Sequence, residues 1–267
     1  MLMKYDFLAD IQSALAMLDA DEAPESRDFL SALAEDEGGF AADLCETANR
    51  LLALDLPDLL PKVLRDLVEE LLFAAYYDGC ADALNDLGAQ YYGGCRGFEQ
   101  DFARAVEYYE LAAAKGSRQA RENLGYCHYC GRSVPVDYEK AFRCFAPGAF
   151  EGRLVSLYKI GDMYKNGYFV GKDPEEAFCI YTRCLDTMTD DAAPRAAGPV
   201  FLRVGTALLG GEGTKKDPKQ ALICLQQAEL FLFDMVSRGD EEYRQSLHDA
   251  IDGQARARAE LAASLRE

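Results

Sequence analysis

The chain has 267 residues, 49% of them hydrophobic, and carries a formal net charge of −18. Binding to nucleic acid or to an anionic membrane surface requires a basic face, so this charge argues against both as partners. No segment approaches the roughly 18 consecutive apolar residues of a membrane-spanning helix. The first residues also lack the basic, apolar and small-residue regions of a signal peptide, so we expect a cytoplasmic protein.

Nine cysteines are present, and they lie at positions 45, 80, 95, 127, 130, 144, 179, 184 and 224. The number is odd, and a chain without an export signal normally keeps its thiols reduced. We therefore expect free thiols. A free cysteine packs in a core like a small apolar residue.

Residues 1–79 are the most acidic part of the chain, with 18 Asp and Glu against five Lys and Arg. Their apolar spacing predicts helices at about 2–18, 25–35, 40–54 and 58–77, with breaks at 21–24 and 35–39. The last of these helices is apolar over a broad face, which predicts that it packs against the following segment as an N-terminal cap. The alternative is that the acidic helices form a separate partner-binding module.

Residues 80–238 contain four copies of one pattern. Each copy has an apolar residue followed by glycine, then a turn, then an aspartate, and then an alanine four positions after the aspartate. These residues are Leu87-Gly88, Leu124-Gly125, Ile160-Gly161 and Val204-Gly205; Asp101, Asp137, Asp173 and Asp217; and Ala105, Ala141, Ala177 and Ala221. The aspartates lie 36, 36 and 44 positions apart. Such a period is typical of a repeat protein.

Each copy is predicted to be a helix–turn–helix hairpin. The first half is apolar at helical spacing, and the aspartate is a typical N-cap, which accepts hydrogen bonds from the backbone of a second helix. Pro174 and Pro218 fall at the first position of that helix, where a missing N–H does no harm. Because a glycine within a helix costs stability, four in register indicate close approach of a neighbouring helix. A single hairpin cannot bury its apolar face, so the hairpins are expected to stack.

The period and two of the copies, "LGYCHYCGRSVPVDYEKA" and "IGDMYKNGYFVGKDPEEA", resemble the Sel-1-like repeat family. The resemblance covers about residues 80–231. It implies an all-α, right-handed α/α solenoid, related to tetratricopeptide repeats, that binds other proteins. The expected units are about 80–116, 117–152, 153–194 and 195–238. The tryptophan common in the second helix of the family is absent, and an eight-residue insertion within "TMTDDAAPRAAGP" separates the third and fourth units.

Residues 239–267 are predicted to form a final amphipathic helix that caps the array. The end units of a solenoid otherwise expose apolar surface, so a cap of this kind is needed. The apolar residues of this helix are Tyr243, Leu247, Ile251 and Leu261.

The resemblance to tetratricopeptide arrays implies that the first helices line a concave face. Side chains three and two positions before the repeat glycine, and one and four after it, are expected to point into that groove. The partner-binding residues predicted in this way are Asn85, Asp86, Tyr92, Asn123, Tyr126, Tyr129, Tyr158, Lys159, Asp162, Lys165 and Arg203. Aromatic area, hydrogen bonds and charges suit a protein or peptide partner. The alternative is an ordinary solvated helix face.

The stretch "GYCHYCGRS" raises the question of chemistry, because Cys127 and Cys130 lie three apart with His128 between them. A reactive dithiol is favoured at a helix N-terminus, where the dipole stabilises a thiolate. The repeat pattern places this pair instead in the last turns of a first helix. A structural zinc ion would need two more ligands, and the sequence has no second such motif. We therefore predict packing rather than redox or metal chemistry.

No catalytic residue, cofactor or metal site is predicted. The two histidines, His128 and His248, lie in no motif with a nucleophile, and the glycine-rich turns lack the features of a phosphate-binding loop. We expect a cytoplasmic adaptor or scaffold without catalysis. The alternatives are a thiol redox or metal-binding protein, a hydrolase of the cysteine-rich branch of the family, or an immunity or regulatory protein that neutralises one target. The oligomeric state is left open by the sequence.

Overall fold

The computed structural model describes residues 44–53, 62–94, 97–188 and 196–265, and six isolated helical positions near the N-terminus. All the regular structure in these ranges is helical, which confirms the all-α fold class. No helix among them is long and apolar enough to cross a membrane. The helices predicted at 2–18 and 25–35, with the breaks beside them, lie almost entirely outside the described residues, as does most of the insertion before the fourth repeat.

The chain divides into two compact units, residues 1–136 and 137–267. The helices of the first unit are α1 (Leu44–Leu52), α2 (Lys62–Tyr77), α3 (Ala83–Gly93), α4 (Phe102–Ala114) and α5 (Arg118–Cys130). Within this unit, consecutive helices pack against one another. The apolar face of α2 is buried through Leu67, Val68, Leu71 and Leu72. Its contact with α3 is the packing that the cap interpretation requires.

The helices of the second unit are α6 (Tyr138–Phe150), α7 (Leu154–Asn166), α8 (Pro174–Thr187), α9 (Ala197–Gly210), α10 (Pro218–Ser237) and α11 (Arg244–Ser264). A short 3-10 turn, Glu241–Tyr243, joins α10 to α11. Consecutive helices pack against one another in this unit too. In the four repeats, α3, α5, α7 and α9 are therefore the first helices, and α4, α6, α8 and α10 are the second helices.

In each repeat, the end of the first helix and the start of the second are fixed by their residues. The four first helices all end at a glycine with a left-handed backbone, at φ between 64° and 76°. A side chain would strain this conformation. Each second helix then begins at the predicted aspartate, whose carboxylate accepts hydrogen bonds from backbone N–H groups of the first turn. The four predicted N-caps are therefore confirmed.

The repeat glycine allows the two helices of one hairpin to touch. In three repeats, a Cβ atom added to this glycine would meet a side chain of the second helix well inside van der Waals contact. The contacts are from Gly88 to Cε1 of Tyr109 at 2.7 Å, from Gly161 to Cε1 of Tyr181 at 2.5 Å, and from Gly205 to Cγ of Leu225 at 2.7 Å. The close approach predicted from the sequence is therefore confirmed in these repeats. The side chain that meets the glycine stands eight residues after the N-cap aspartate.

The last helix, α11, packs against α10 through small residues. A Cβ atom on Gly253 would come within 2.9 Å of Cδ1 of Leu225, so Leu225 lies between glycines of α9 and α11. The amide of Gln254 donates to the carbonyl oxygen of Leu225 at 3.2 Å and to the carboxylate of Glu229 at 2.6 Å. Ile251, which the amphipathic pattern assigned to the apolar side, is instead 44% exposed. The face of α11 that meets α10 is therefore the one with Gly253 and Gln254, and Ile251 lies outside it.

Gly161→Ala is expected to destabilise the second unit by about 2 kcal/mol, because over-packing a core costs roughly 1–3 kcal/mol and the added Cβ atom meets a buried ring. In an unpacked helix the same change stabilises by up to about 1 kcal/mol, so the sign of the effect is informative. Urea unfolding followed by circular dichroism measures it. The matched control is Gly171→Ala, because a Cβ atom there meets nothing within 4 Å. Equal effects of the two changes would contradict the close-contact account.

Candidate functional site

In the first unit, several predicted groove positions form a chain of side-chain hydrogen bonds across neighbouring helices. Nδ2 of Asn123 on α5 donates to Oδ1 of Asn85 on α3 at 2.9 Å, and Nδ2 of Asn85 donates to Oδ1 of Asp86 at 3.2 Å. Asn49 of α1 donates to the other oxygen of Asp86 at 3.1 Å, and Gln119 donates to Asn123 at 3.4 Å. We refer to these five residues as the amide strip.

Asp86 is the anionic member of the amide strip. Burial raises the pKa of its carboxyl group above the ordinary value, and the hydrogen bonds from Asn49 and Asn85 oppose this only in part. The negative charge of Asp82 raises the pKa further. The hydrogen bonds that the structure shows to this carboxylate come from neutral amides, so dipoles rather than a cation stabilise its charge. The result is a negative charge on the face formed by the first helices.

Three of the predicted tyrosines lie further along the helices that carry the amide strip. Tyr92 on α3 and Tyr126 and Tyr129 on α5 are half-buried, so part of each side chain is open to solvent. The ring of Tyr92 packs edge-to-face on that of Phe102, with 5.1 Å between the ring centres. A ring that is already held in place offers aromatic area to a partner with little loss of side-chain entropy.

In the second unit, predicted positions on α7 and α9 meet in a buried ion pair. Asp162 of α7 is 7% exposed. Its carboxylate accepts hydrogen bonds from Nε of Arg203 at 2.5 Å and from Nη2 at 2.6 Å, so the pair links two successive first helices. The hydroxyl of Tyr181 donates to the same carboxylate at 2.8 Å, and Nη1 of Arg203 donates to the carbonyl oxygen of Pro199 at 2.8 Å.

Aromatic and cationic side chains surround this ion pair. The guanidinium of Arg203 lies 4.6 Å from the ring centre of Tyr158, and the amine of Lys159 lies 5.5 Å from it. Burial alone would raise the pKa of Asp162, but the charge and hydrogen bonds of Arg203 outweigh it and hold the pKa below the ordinary value. Both partners of the pair are therefore charged at neutral pH.

The structure separates the predicted partner-binding residues into two groups. The buried residues are Asn85, Tyr158, Lys159 and Asp162. The half-buried residues are Asp86, Tyr92, Asn123, Tyr126, Tyr129, Lys165 and Arg203. Lys165 forms an ion pair with Glu212 at 3.7 Å. For the buried group, the bonds and packing described above join neighbouring helices, and contact with a partner stays a prediction. The half-buried group keeps surface that a partner can reach.

A polar cluster that the sequence reasoning missed lies between α2 and the first repeat. The carboxylate of Glu69 accepts hydrogen bonds from the hydroxyls of Tyr91 at 3.2 Å and Tyr108 at 3.3 Å, and Arg104 donates to the Tyr91 hydroxyl at 2.6 Å. Glu69, Tyr91 and Arg104 border an open pocket of about 580 Å³ that Arg65 also lines. Glu69 is one of several charged residues in the fourth predicted helix, so no sequence signal distinguished it from a solvated position.

The cysteines of the "CHYC" stretch lie in the last turn of α5, where the repeat pattern placed them. Cys127 is fully buried, whereas Cys130 is exposed. In the second unit, burial raises the pKa of the Cys184 thiol to about 12 and also raises that of Cys224. Among the residues that the structure describes, no group of three or more His, Cys, Asp and Glu side chains is arranged to hold a metal ion.

Solved structures with similar folds are repeat proteins. One is a Sel1 repeat protein from Oxalobacter formigenes, with a TM-score of 0.61 and 18% identity over 90% of this chain and 96% of that one. Another is a protective antigen of uropathogenic Escherichia coli that displays an SLR fold, with a TM-score of 0.50 and 19% identity over 88% of this chain and 56% of the antigen. At these identities the likeness concerns the fold alone.

Curated relatives match shorter segments of the sequence. A stretch of 80 residues is 39% identical to the ERAD-associated E3 ubiquitin-protein ligase component HRD3B of Arabidopsis thaliana, covering 30% of this chain and 13% of that protein. A stretch of 101 residues is 32% identical to protein sel-1 homolog 2 of Homo sapiens, covering 38% of this chain and 15% of that protein. The chain thus matches less than a sixth of the length of either relative.

Hairpins that share a glycine contact and an aspartate N-cap define the chain as an α-helical repeat protein. The Sel1 repeat matches residues 81–117, 118–149, 154–180 and 202–229, close to the four units expected from the sequence. The chain therefore contains four Sel1 repeats, and the solved structures similar to it show the α/α solenoid fold of such repeats. The resemblance inferred from the sequence is thereby confirmed.

Asp162→Asn is expected to lower the free energy of unfolding of the second unit by about 3 kcal/mol at pH 7, because it leaves the largely desolvated Arg203 guanidinium without the carboxylate that it pairs with. Urea denaturation measures this loss. The matched control is Glu260→Gln, which breaks the more exposed pair between Lys216 and Glu260. A surface pair of this kind contributes at most about 1 kcal/mol. Similar losses in the two variants would show that the Asp162–Arg203 pair does not stabilise the unit.

The pH dependence of that loss follows from the lowered pKa of Asp162. In the unfolded chain this carboxyl group titrates near pH 4, whereas in the folded state it stays charged to a lower pH. Its stabilising contribution is therefore complete above about pH 5 and is lost as the pH falls through the folded-state pKa. The difference in stability between wild type and Asp162→Asn should stay constant from neutral pH down to about pH 5 and decrease at lower pH. A difference that widened as the pH fell would contradict the assignment.

Thiol labelling tests the redox alternative. In the folded protein, alkylation by iodoacetamide should be fast at the exposed Cys130 and slow at Cys127, because a buried thiol is inert. Cys130→Ser should therefore remove a fast-labelling site, whereas Cys127→Ser should leave the fast phase unchanged. Mass spectrometry of the labelled peptides locates each site. Rapid labelling of Cys127 in the folded protein would support a reactive dithiol instead.

Proposed function

We propose that the chain is a cytoplasmic interaction protein that binds a protein or peptide partner on the open parts of its first helices, without catalysis. The observation that carries this proposal is the amide strip and the tyrosines beyond it. They bring hydrogen-bonding amides, one carboxylate and half-buried aromatic rings together on α1, α3 and α5. Aromatic anchors surrounded by polar groups are typical of surfaces that recognise a polypeptide.

The family supports the same conclusion. Sel1 repeat folds are commonly protein-interaction scaffolds. One matched relative, HRD3B, is by its description a component of an E3 ubiquitin-protein ligase. We extend to this chain only the general role of working within a protein assembly, because the match covers a small part of that relative.

The cysteines fit this function better than they fit thiol chemistry. Cys127 has no exposed surface. A thiol whose pKa is raised by burial, such as Cys184, is almost fully protonated at neutral pH and is therefore a poor nucleophile. The eight described cysteines are free thiols, which suits the reducing cytoplasm that we propose as the location.

Affinity capture from the native cell lysate tests the proposal. Replacing Tyr126 and Tyr129 together by alanine should remove the captured partner and leave the helical circular-dichroism signal unchanged, because both side chains are half-buried and truncating interface aromatics costs most binding energy. The matched control replaces Tyr77, a 77% exposed tyrosine at the end of α2. A partner that survives the Tyr126 and Tyr129 changes, or that is lost equally with Tyr77→Ala, would contradict the assigned surface.

A further inference from the structure

The amide strip also indicates the chemistry of the partner, and this inference rests on the proposed function. A carboxamide presents N–H donors and an acceptor oxygen in one plane, which matches the N–H and C=O groups of a peptide backbone. The described bonds of Asn123 use one of its two N–H groups and one lone pair of its oxygen. Asn123 is half-buried, so the remaining N–H and lone pair can reach a ligand.

The direction of the strip favours an extended ligand. It crosses from α1 through α3 to α5, because its hydrogen bonds connect Asn49, Asp86, Asn85 and Asn123 in that order. Helices packed side by side lie about 8–10 Å apart, and an extended chain advances about 3.3 Å per residue. One step between first helices therefore corresponds to about three residues of an extended peptide. A helical ligand, which advances only about 1.5 Å per residue, would offer the strip far fewer backbone N–H and C=O groups. In a helix these groups are already hydrogen-bonded to one another.

The charge of the strip favours a basic ligand. Asp86 carries the negative charge of the strip, and the bonds shown to it come from neutral amides. In the sequence, α1 lies within the most acidic part of the chain, residues 1–79, which has 18 acidic residues against five basic ones. Among the described residues, the hydrogen bonds to Asp86 come from amides, so an incoming Lys or Arg would add a counter-charge, and the tyrosine rings further along α3 and α5 are surfaces to which a cation is attracted.

We propose that the amide strip binds an extended segment of a partner protein, with a lysine or arginine of that segment against Asp86 and with the peptide backbone hydrogen-bonded to Asn123. The side chains of Tyr92, Tyr126 and Tyr129 contact the residues on either side. In this arrangement Asn123 contributes affinity for any peptide sequence, and Asp86 selects for peptides that carry a positive charge.

The experiment is a selection with the full chain against a random library of 12-residue peptides displayed on phage. Enriched peptides should share a Lys or Arg at one position. One enriched peptide, labelled with fluorescein, is then titrated by fluorescence polarisation. Asp86→Asn should weaken its binding about tenfold, the size expected for one charge-assisted contact. Replacing the shared Lys or Arg of the peptide by Gln should cause the same loss, and the two changes together should cost little more than either alone.

Two further variants test whether the loss of peptide binding is specific to the charge of Asp86. Glu107→Gln removes the same charge from an exposed position on α4, a helix that carries no member of the strip, and should leave binding unchanged. Asn123→Ala should weaken all the enriched peptides by a similar factor, whatever their charge. If Asp86→Asn perturbs the fold, the peptide substitution and the loss of affinity with added salt still test the charge contact.

The proposal is overturned if no peptide is enriched, if the enriched peptides are neutral or acidic, or if Asp86→Asn and Glu107→Gln have equal effects. Lysate capture separates this failure from failure of the proposed function. One outcome is that a partner is captured and is lost with the Tyr126 and Tyr129 changes, but the enriched peptides are not basic. This outcome would support the interaction surface and reject the basic, extended ligand. Absence of both captured partner and enriched peptide would reject both.

Discussion

The contact between the repeat glycine and a side chain of the second helix sets the geometry of each hairpin. In the third repeat, Gly161 leaves room for the ring of Tyr181, and the hydroxyl of that ring donates to Asp162, the residue after the glycine. The same carboxylate pairs with Arg203 of the next first helix. The glycine therefore acts beyond its own hairpin, because the ring that it admits helps to position the ion pair between repeats. Substituting the glycine would therefore disturb both the packing within the hairpin and the ion pair between repeats.

Much of the fold could be predicted from the sequence, because the residues that fix the hairpin are chemically invariant among the four copies. Each turn needs a backbone conformation or a cap that few residues provide, so glycine and aspartate recur. The packing partner of the glycine was not predicted, because in the three repeats that show the contact this position holds Tyr109, Tyr181 or Leu225, and only bulk and burial are shared. The turns also share a backbone conformation that the residue types do not reveal. Ser133, Phe169 and Gly213 all have φ between 58° and 70°, although only one of them is glycine.

The positions of the candidate residues on the first helices could be predicted, but their contacts with one another could not. The repeat pattern identified Asn85, Asn123, Asp162 and Arg203 as residues on the exposed side of the first helices. It could not show that side chains 38 or 41 residues apart bond to one another, because such a pairing depends on how far successive helices are displaced. Residues expected to face a partner therefore also hold the repeats together. The half-buried part of the predicted groove, around the amide strip and its tyrosines, is smaller than the full set of predicted positions.

The most direct test of the account is to measure the effect of Gly205→Ala in two backgrounds, wild type and Leu225→Ala, by urea unfolding. Leu225 makes the contact with Gly205 through apolar atoms, so no hydrogen bond complicates the comparison. The account predicts that Gly205→Ala destabilises the wild type by about 1–3 kcal/mol through over-packing. In the Leu225→Ala background the same change should stabilise by up to about 1 kcal/mol, because the cavity accepts the methyl group and alanine is the better helix former. Additive effects in the two backgrounds would show that the glycine is not there to admit the opposing side chain, and would contradict the account.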